Sequence, residues 1–214
     1  MLFSKKKLLL CLFLTLSFSA FSMPFSQNKT SEQDIPISYI YASWTININN
    51  LNWLVGSCEN VFVGYINDLT KTDYSYHFCP VTMYNVTVVS NIKGDAPLGE
   101  TVTVGKEGGL LQDGKCYVLY RDDKLPKAGQ FYFFCTSPRD NYDYFADGPT
   151  STQHIPVSTS NKTFSIPKHK SSEESSTSLT SVFTDDIIHE IEQCELYSKF
   201  QSAFEHEIHD PFRH

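Results

Sequence analysis

Histidines and acids crowd the end of this 214-residue chain: His189, Glu190, His206, Glu207, His209, Asp210 and His214. Imidazole and carboxylate are zinc ligands, and His206 and His209, three apart on a helix, share a face. The zinc-hydrolase pattern needs two histidines four apart with a glutamate after the first. H-E-I-H has only two residues between its histidines, so it reads as a solvated polar face. A second group is R-D-N-Y-D-Y-F-A-D-G, Arg139 to Gly148. Asp140, Asp143 and Asp147 offer the oxygen ligands that calcium takes, but their spacing is not that of an EF-hand loop. The tyrosines suit protein contact instead, so Tyr142, Asp143, Tyr144 and Phe145 are the expected binding surface. Cys79 has His77 two residues away, a spacing that keeps strand side chains from forming a nucleophile–base pair. No serine elbow, phosphate loop or pair of catalytic carboxylates is present. The residues therefore predict no catalysis, no bound metal and no cofactor.

Lys5, Lys6 and Lys7 precede an apolar run, Leu8 to Leu16, too short to cross a bilayer. Ala20 and Ser22 are small residues placed for cleavage before Met23, so residues 1–22 read as a secretory signal. Its removal takes three lysines and no acids, moving the formal charge from −7 to −10. So acidic a chain argues against nucleic acid and anionic membranes as partners. No later segment is apolar for long enough to span a membrane. The acceptor-like sites at Asn28, Asn85 and Asn161 matter only in a glycosylating host.

The elements that position these residues follow from hydropathy. Residues 23–36 read as a disordered lead-in. Residues 37–168 read as the β domain. Leu51 to Gly56 is a short apolar helix. Five strands follow: Val61 to Ile66, Val81 to Val89, Glu100 to Val104, Asp113 to Tyr120 and Gln130 to Cys135. In the second, Thr82, Tyr84, Val86 and Val88 share one face, with Met83, Asn85 and Thr87 on the other. Gly64, Gly105, Gly108 and Gly109 supply the bends of a small closed antiparallel barrel. Residues 169–183 are a Ser-rich linker. Residues 184–210 form one amphipathic helix, with Ile187, Ile191, Cys194, Tyr197, Phe204 and Ile208 on one face. Thr184 caps it, and Asp185 and Asp186 suit its start. That helix either packs on the barrel or binds a partner.

Cys58, Cys79, Cys116, Cys135 and Cys194 follow the signal. Export predicts that some pair. If the segment 122–129 is a symmetric hairpin loop, Cys116 and Cys135 lie equidistant from its centre, facing each other within disulfide reach. If Cys58 bonds, Cys194 would staple the C-terminal helix to the barrel, with Cys79 the competitor.

Together these motifs resemble a group of secreted bacterial proteins. They are a short helix ending in L-V, then V-F-V-G, a long strand ending in K-G-D, G-E-T-V-T-V, G-G, and D-G-K-C-Y-V-L-Y. The domain of that group is similar to the OB-like barrel of tissue inhibitors of metalloproteinases and netrin modules. The resemblance covers Leu51 to Cys135 and extends towards Val157. It implies a mainly β fold, a small five-stranded OB-like antiparallel barrel with a short N-terminal helix and a C-terminal amphipathic helix, exported to the cell surface or beyond. Inhibitors of that superfamily bind zinc through a cysteine at the mature N-terminus, and no residue here matches it. The expected function is therefore a secreted, non-enzymatic protein-interaction domain. The alternatives are an inhibitor of an extracellular hydrolase or protease, and a metal-dependent enzyme using the histidine-rich end.

Overall fold

A computed structural model describes residues 35–44, 47–76, 79–139, 141–157 and 183–209. The export signal, the Ser-rich linker except Phe183, most of the lead-in, and His77, Asp140, Asp210 and His214 lie outside the described residues, as do Asn28 and Asn161.

The β-branched and aromatic runs form strands, as their pattern requires. In chain order the elements are β1 (Ile37–Ile40), α1 (Leu51–Ser57), β2 (Asn60–Asp73), β3 (Val81–Lys93), β4 (Thr101–Glu107), β5 (Gly109–Leu110) and β6 (Tyr117–Tyr120). They continue with β7 (Phe131–Arg139), β8 (Tyr142–Ala146), β9 (Thr152–Ile155), α2 (Asp185–Glu192) and α3 (Glu195–Glu205). Asn50 starts α1 by accepting from the Asn52 and Trp53 amides, which satisfies two amides that have no partner within the helix.

The larger sheet runs β2-β3-β4-β8-β7, and β7 pairs back with β2 to close a ring of hydrogen bonds. β9 shares the far edge of β7 with β8. The sheet is mixed, not purely antiparallel as the sequence suggests: β4 and β8 run parallel, Val104 opposite Tyr144. The cause is parity. An odd number of strands in a closed ring cannot alternate direction all the way round.

A second correction concerns ring membership. The expected fourth strand lies elsewhere, in a small sheet ordered β1-β6-β5, with β1 parallel to β6. Its place in the ring is taken by β8, drawn from the segment expected to be a contact loop. The chain leaves the ring at Gly108, whose φ of +104° a side chain rarely adopts.

The two larger cores flank β7 and the first half of β2, which are buried on both faces. Even-numbered Phe62, Ile66, Tyr132 and Phe134 meet Tyr84, Val86, Val88 and Val104 inside the ring. Odd-numbered Val61, Val63, Tyr65, Phe131, Phe133 and Cys135 face α1, α2 and α3. The predicted face of β3 is thus the inner one. Phe133 and Phe200 stack with centroids 4.2 Å apart.

The C-terminal stretch is two helices, not one. Cys194 is extended (ψ 142°) and its Sγ accepts from the Tyr197 amide to start α3. The break rotates the buried face: α3 buries Tyr197, Phe200 and Ala203, while Phe204 and Ile208 are exposed. Both helices pack on the ring. Beyond them, Ile208 N–H donates to Asn52 O at 3.0 Å. A Cβ on Gly56 would lie 2.2 Å from the Ile208 carbonyl oxygen, so only glycine permits this approach. Among the described residues no helix is long and apolar enough to cross a membrane.

Candidate functional site

β4 ends in two charged residues, Lys106 and Glu107, that are only 0% and 2% exposed. Charges are seldom buried without partners. Neighbours on a strand point to opposite faces, so the pair serves two separate polar clusters.

On one face, Lys106 Nζ donates to Asp123 Oδ2 at 2.7 Å, to Ser151 Oγ at 3.3 Å and to the Gly148 carbonyl. Three acceptors offset the loss of water around the ammonium. Beside Asp123 opens a cleft of about 440 Å³ lined by Lys124, Lys127, Gln130, Tyr132 and His154.

On the other face, Glu107 meets Asp147 and Tyr120. Burial first, then the hydrogen bond and charge of Asp147, push the Glu107 carboxyl up to about 8, against the pull of Tyr120 and Arg139. Its Oε2 is buried and makes no hydrogen bond. Burial and the Glu107 charge likewise push the Cys79 thiol up to about 11 and raise the Tyr120 hydroxyl. Arg139 completes the group: it pairs with Asp147 at 2.9 Å and lies over the rings of Tyr76 and Phe145 at 5.1 and 5.4 Å.

The small sheet lies against this cluster. Tyr120 of β6 packs on Trp44 with centroids 5.4 Å apart, and Arg121 lies over Tyr41. β1 is the edge of that sheet, and among the described residues no strand pairs with its other side. Along it Ile35, Ile37, Tyr39 and Tyr41 are exposed by 37%, 47%, 47% and 73%. Apolar residues at every second position on an open strand are rare on monomer surfaces.

The predicted contact residues separate. Tyr142 and Phe145 are buried in a cluster with Val81 and Met83, and the Tyr142 hydroxyl donates to Asp73 Oδ2 at 3.0 Å. Tyr144 is half-buried, edge-on to Phe62. Only Asp143 is exposed. Ring membership of β8 is the reason: Tyr142 and Phe145 pack on its outer face over Gly105, and Tyr144 turns to the inside.

The Cys116–Cys135 pairing does not stand. β6 pairs with β1 and β5, whereas β7 pairs with β2, β8 and β9, so residues 122–129 join two sheets and no hairpin forms. Cys116 Sγ donates to the Tyr117 carbonyl, and Cys135 lies against Cys58. Cys58 and Cys194 border the same core, and no S–S bond joins them. Cys79 lies near Glu107.

His206 Nδ1 contacts Ser202 O at 2.9 Å, whereas His209 Nε2 contacts Glu207 Oε1 at 2.9 Å. The two imidazoles thus have different partners. Among the described residues no three His, Cys, Asp or Glu side chains converge as metal ligands. Asn85 donates to Asp68 Oδ1 across β2 and β3.

Lys106, Glu107 and Asp123 escape the sequence reading, although K-E directly after an apolar alternation was a usable signal. No protein-family model matches the chain, and no curated protein matches it.

Proposed function

We propose that this chain is an exported, non-enzymatic binding module on an OB-like ring, taking a protein partner along β1. The observation that carries the reading is the apolar, unpaired edge of that strand. The Tyr117 and Arg121 amides donate to the carbonyls of Pro36 and Ile40. By alternation, the peptide groups of Ile37 and Tyr39 turn to the open side. An extended segment of a partner added there would gain a backbone ladder and cover the exposed side chains.

The ring supports the OB-like reading. Its five strands close first to fourth and third to fifth, in keeping with a five-stranded Greek-key barrel, which favours the likeness to metalloproteinase-inhibitor and netrin modules at the level of fold. The inhibitor alternative has less behind it. Cys58, the first cysteine after the signal, is half-buried at the end of α1 with its amide bonded to Val55 O. The metal-enzyme alternative is weakened by the diverging partners of His206 and His209.

The test is affinity capture from envelope and culture medium with three baits. These are wild type, an Ile37→Lys/Tyr39→Lys variant, and Leu98→Lys, which alters an exposed apolar residue elsewhere. A protein held by wild type and Leu98→Lys but lost by the β1 variant is the expected result. A protein held equally by all three would remove β1 from the reading. Deleting the C-terminal helices is not a useful control, because they complete a core.

A further inference from the structure

Cys58 is the C-cap of α1. Its extended conformation (φ −102°, ψ 148°) swings the chain out of the helix towards β2. Three residues on, Val61 stands opposite Cys135, and the Glu59 amide donates to Thr136 O at 3.0 Å. In β7, Phe131, Phe133 and Cys135 all face the helices. Cys135 is 1% exposed, and its thiol lies in hydrogen-bond contact with that of Cys58. Cys58 is only half-buried, so a reagent from solvent reaches it first. Its partner's thiol is already in place behind it.

We propose that Cys58 and Cys135 are a disulfide-forming pair, a covalent staple between the end of α1 and the strand that closes the ring. The oxidant is a disulfide donor. The Cys58 thiolate attacks one donor sulfur, the donor S–S bond breaks, and one donor thiol leaves with a proton. Cys135, as thiolate, then attacks the Cys58 sulfur of the mixed disulfide and expels the second donor thiol. The protein loses two hydrogens and gains one S–S bond, and the donor is reduced to two thiols. Of the other described cysteines, Cys116 flanks the small sheet, Cys79 lies beside Glu107, and Cys194, which borders the same core, has its Sγ accepting from the Tyr197 amide at 3.4 Å. The staple would close the long loop 58–135, and cross-links across long loops restrict the unfolded chain most.

The test incubates the native full chain with oxidised glutathione, quenches in acid, unfolds, alkylates and maps peptides. The expected result is a linked peptide pair carrying Cys58 and Cys135, with a higher melting temperature for the oxidised form. Cys116→Ser should retain the link. Cys58→Ser should lose it and leave Cys135 open to alkylation after unfolding. Full alkylation of both Cys58 and Cys135 after oxidation would overturn the proposal. So would either residue linked instead to Cys79, Cys116 or Cys194.

Discussion

Replacing Glu107 by glutamine should remove most of the protein's pH sensitivity near neutrality. In the folded state burial and Asp147 hold the Glu107 proton up to about 8, whereas an ordinary glutamate releases it at 4.5. Between those values the folded chain binds one proton more than the unfolded chain. Stability is therefore full below the unfolded value and falls as pH rises towards the folded one. One proton corresponds to about 1.4 kcal/mol per pH unit. Across the window this amounts to at most about 5 kcal/mol, a large part of the stability of a small domain. Glutamine has the same shape, stays neutral at every pH and still offers Asp147 a donor, so its stability should vary little over the same window. Urea unfolding followed by the fluorescence of Trp44 and Trp53, in unit steps from about pH 5 to about pH 9, reads both curves. Wild type should weaken steadily up to about pH 8 and then level off, and Glu107→Gln should be the more stable protein at the alkaline end. Equal slopes in the two proteins, or a flat wild-type curve, would refute the reasoning.

Other substitutions test the remaining contacts. Lys106→Met strands the buried Asp123 carboxylate and should cost about 3–5 kcal/mol in denaturant unfolding. Adding Asp123→Leu to that variant should recover part of the loss, since no charge then remains unpaired. Phe200→Ala empties a site stacked on Phe133 and should cost about 3–5 kcal/mol. Phe204→Ala, on the exposed side of the same helix, should change stability by no more than about 0.5 kcal/mol. Asn50→Ala removes the α1 cap and should lower stability by about 1 kcal/mol, seen as a shifted denaturant midpoint.

The strands that were legible are those whose side chains alternate between environments of fixed polarity. β3 shows it best: Tyr84, Val86 and Val88 fill the ring, and the intervening Asn85 and Thr87 take polar partners. β7 is legible for another reason, as an unbroken aromatic run buried on both sides. β8 is not, because its Tyr, Asp and Phe residues lie between Asn, Asp and Gly and have the composition of a loop. What makes it a strand is the unpaired edge of β4, which is remote in sequence. The cysteine geometry failed for the same reason. Equidistance from a loop centre assumes that both flanks stay in one sheet, and the chain between Gly108 and Phe131 visits another. Buried charge at the end of β4 is the least legible feature of all. Lys106 and Glu107 look like solvated residues until Asp123 and Asp147 arrive from later in the chain.

The parity of the ring gives it a seam. Hairpins can join neighbours in an alternating set, but the one parallel contact must be sealed by segments from distant parts of the chain. Here it consists of three residue pairs, from Val104–Tyr144 to Lys106–Ala146. Every other closure of the ring is longer, except the short run between β7 and β8 that adjoins it. With the fewest ladder pairs on both of its edges, β8 should be the first strand to part under load. Asp147, one residue past that seam, reaches Glu107 only once it is shut.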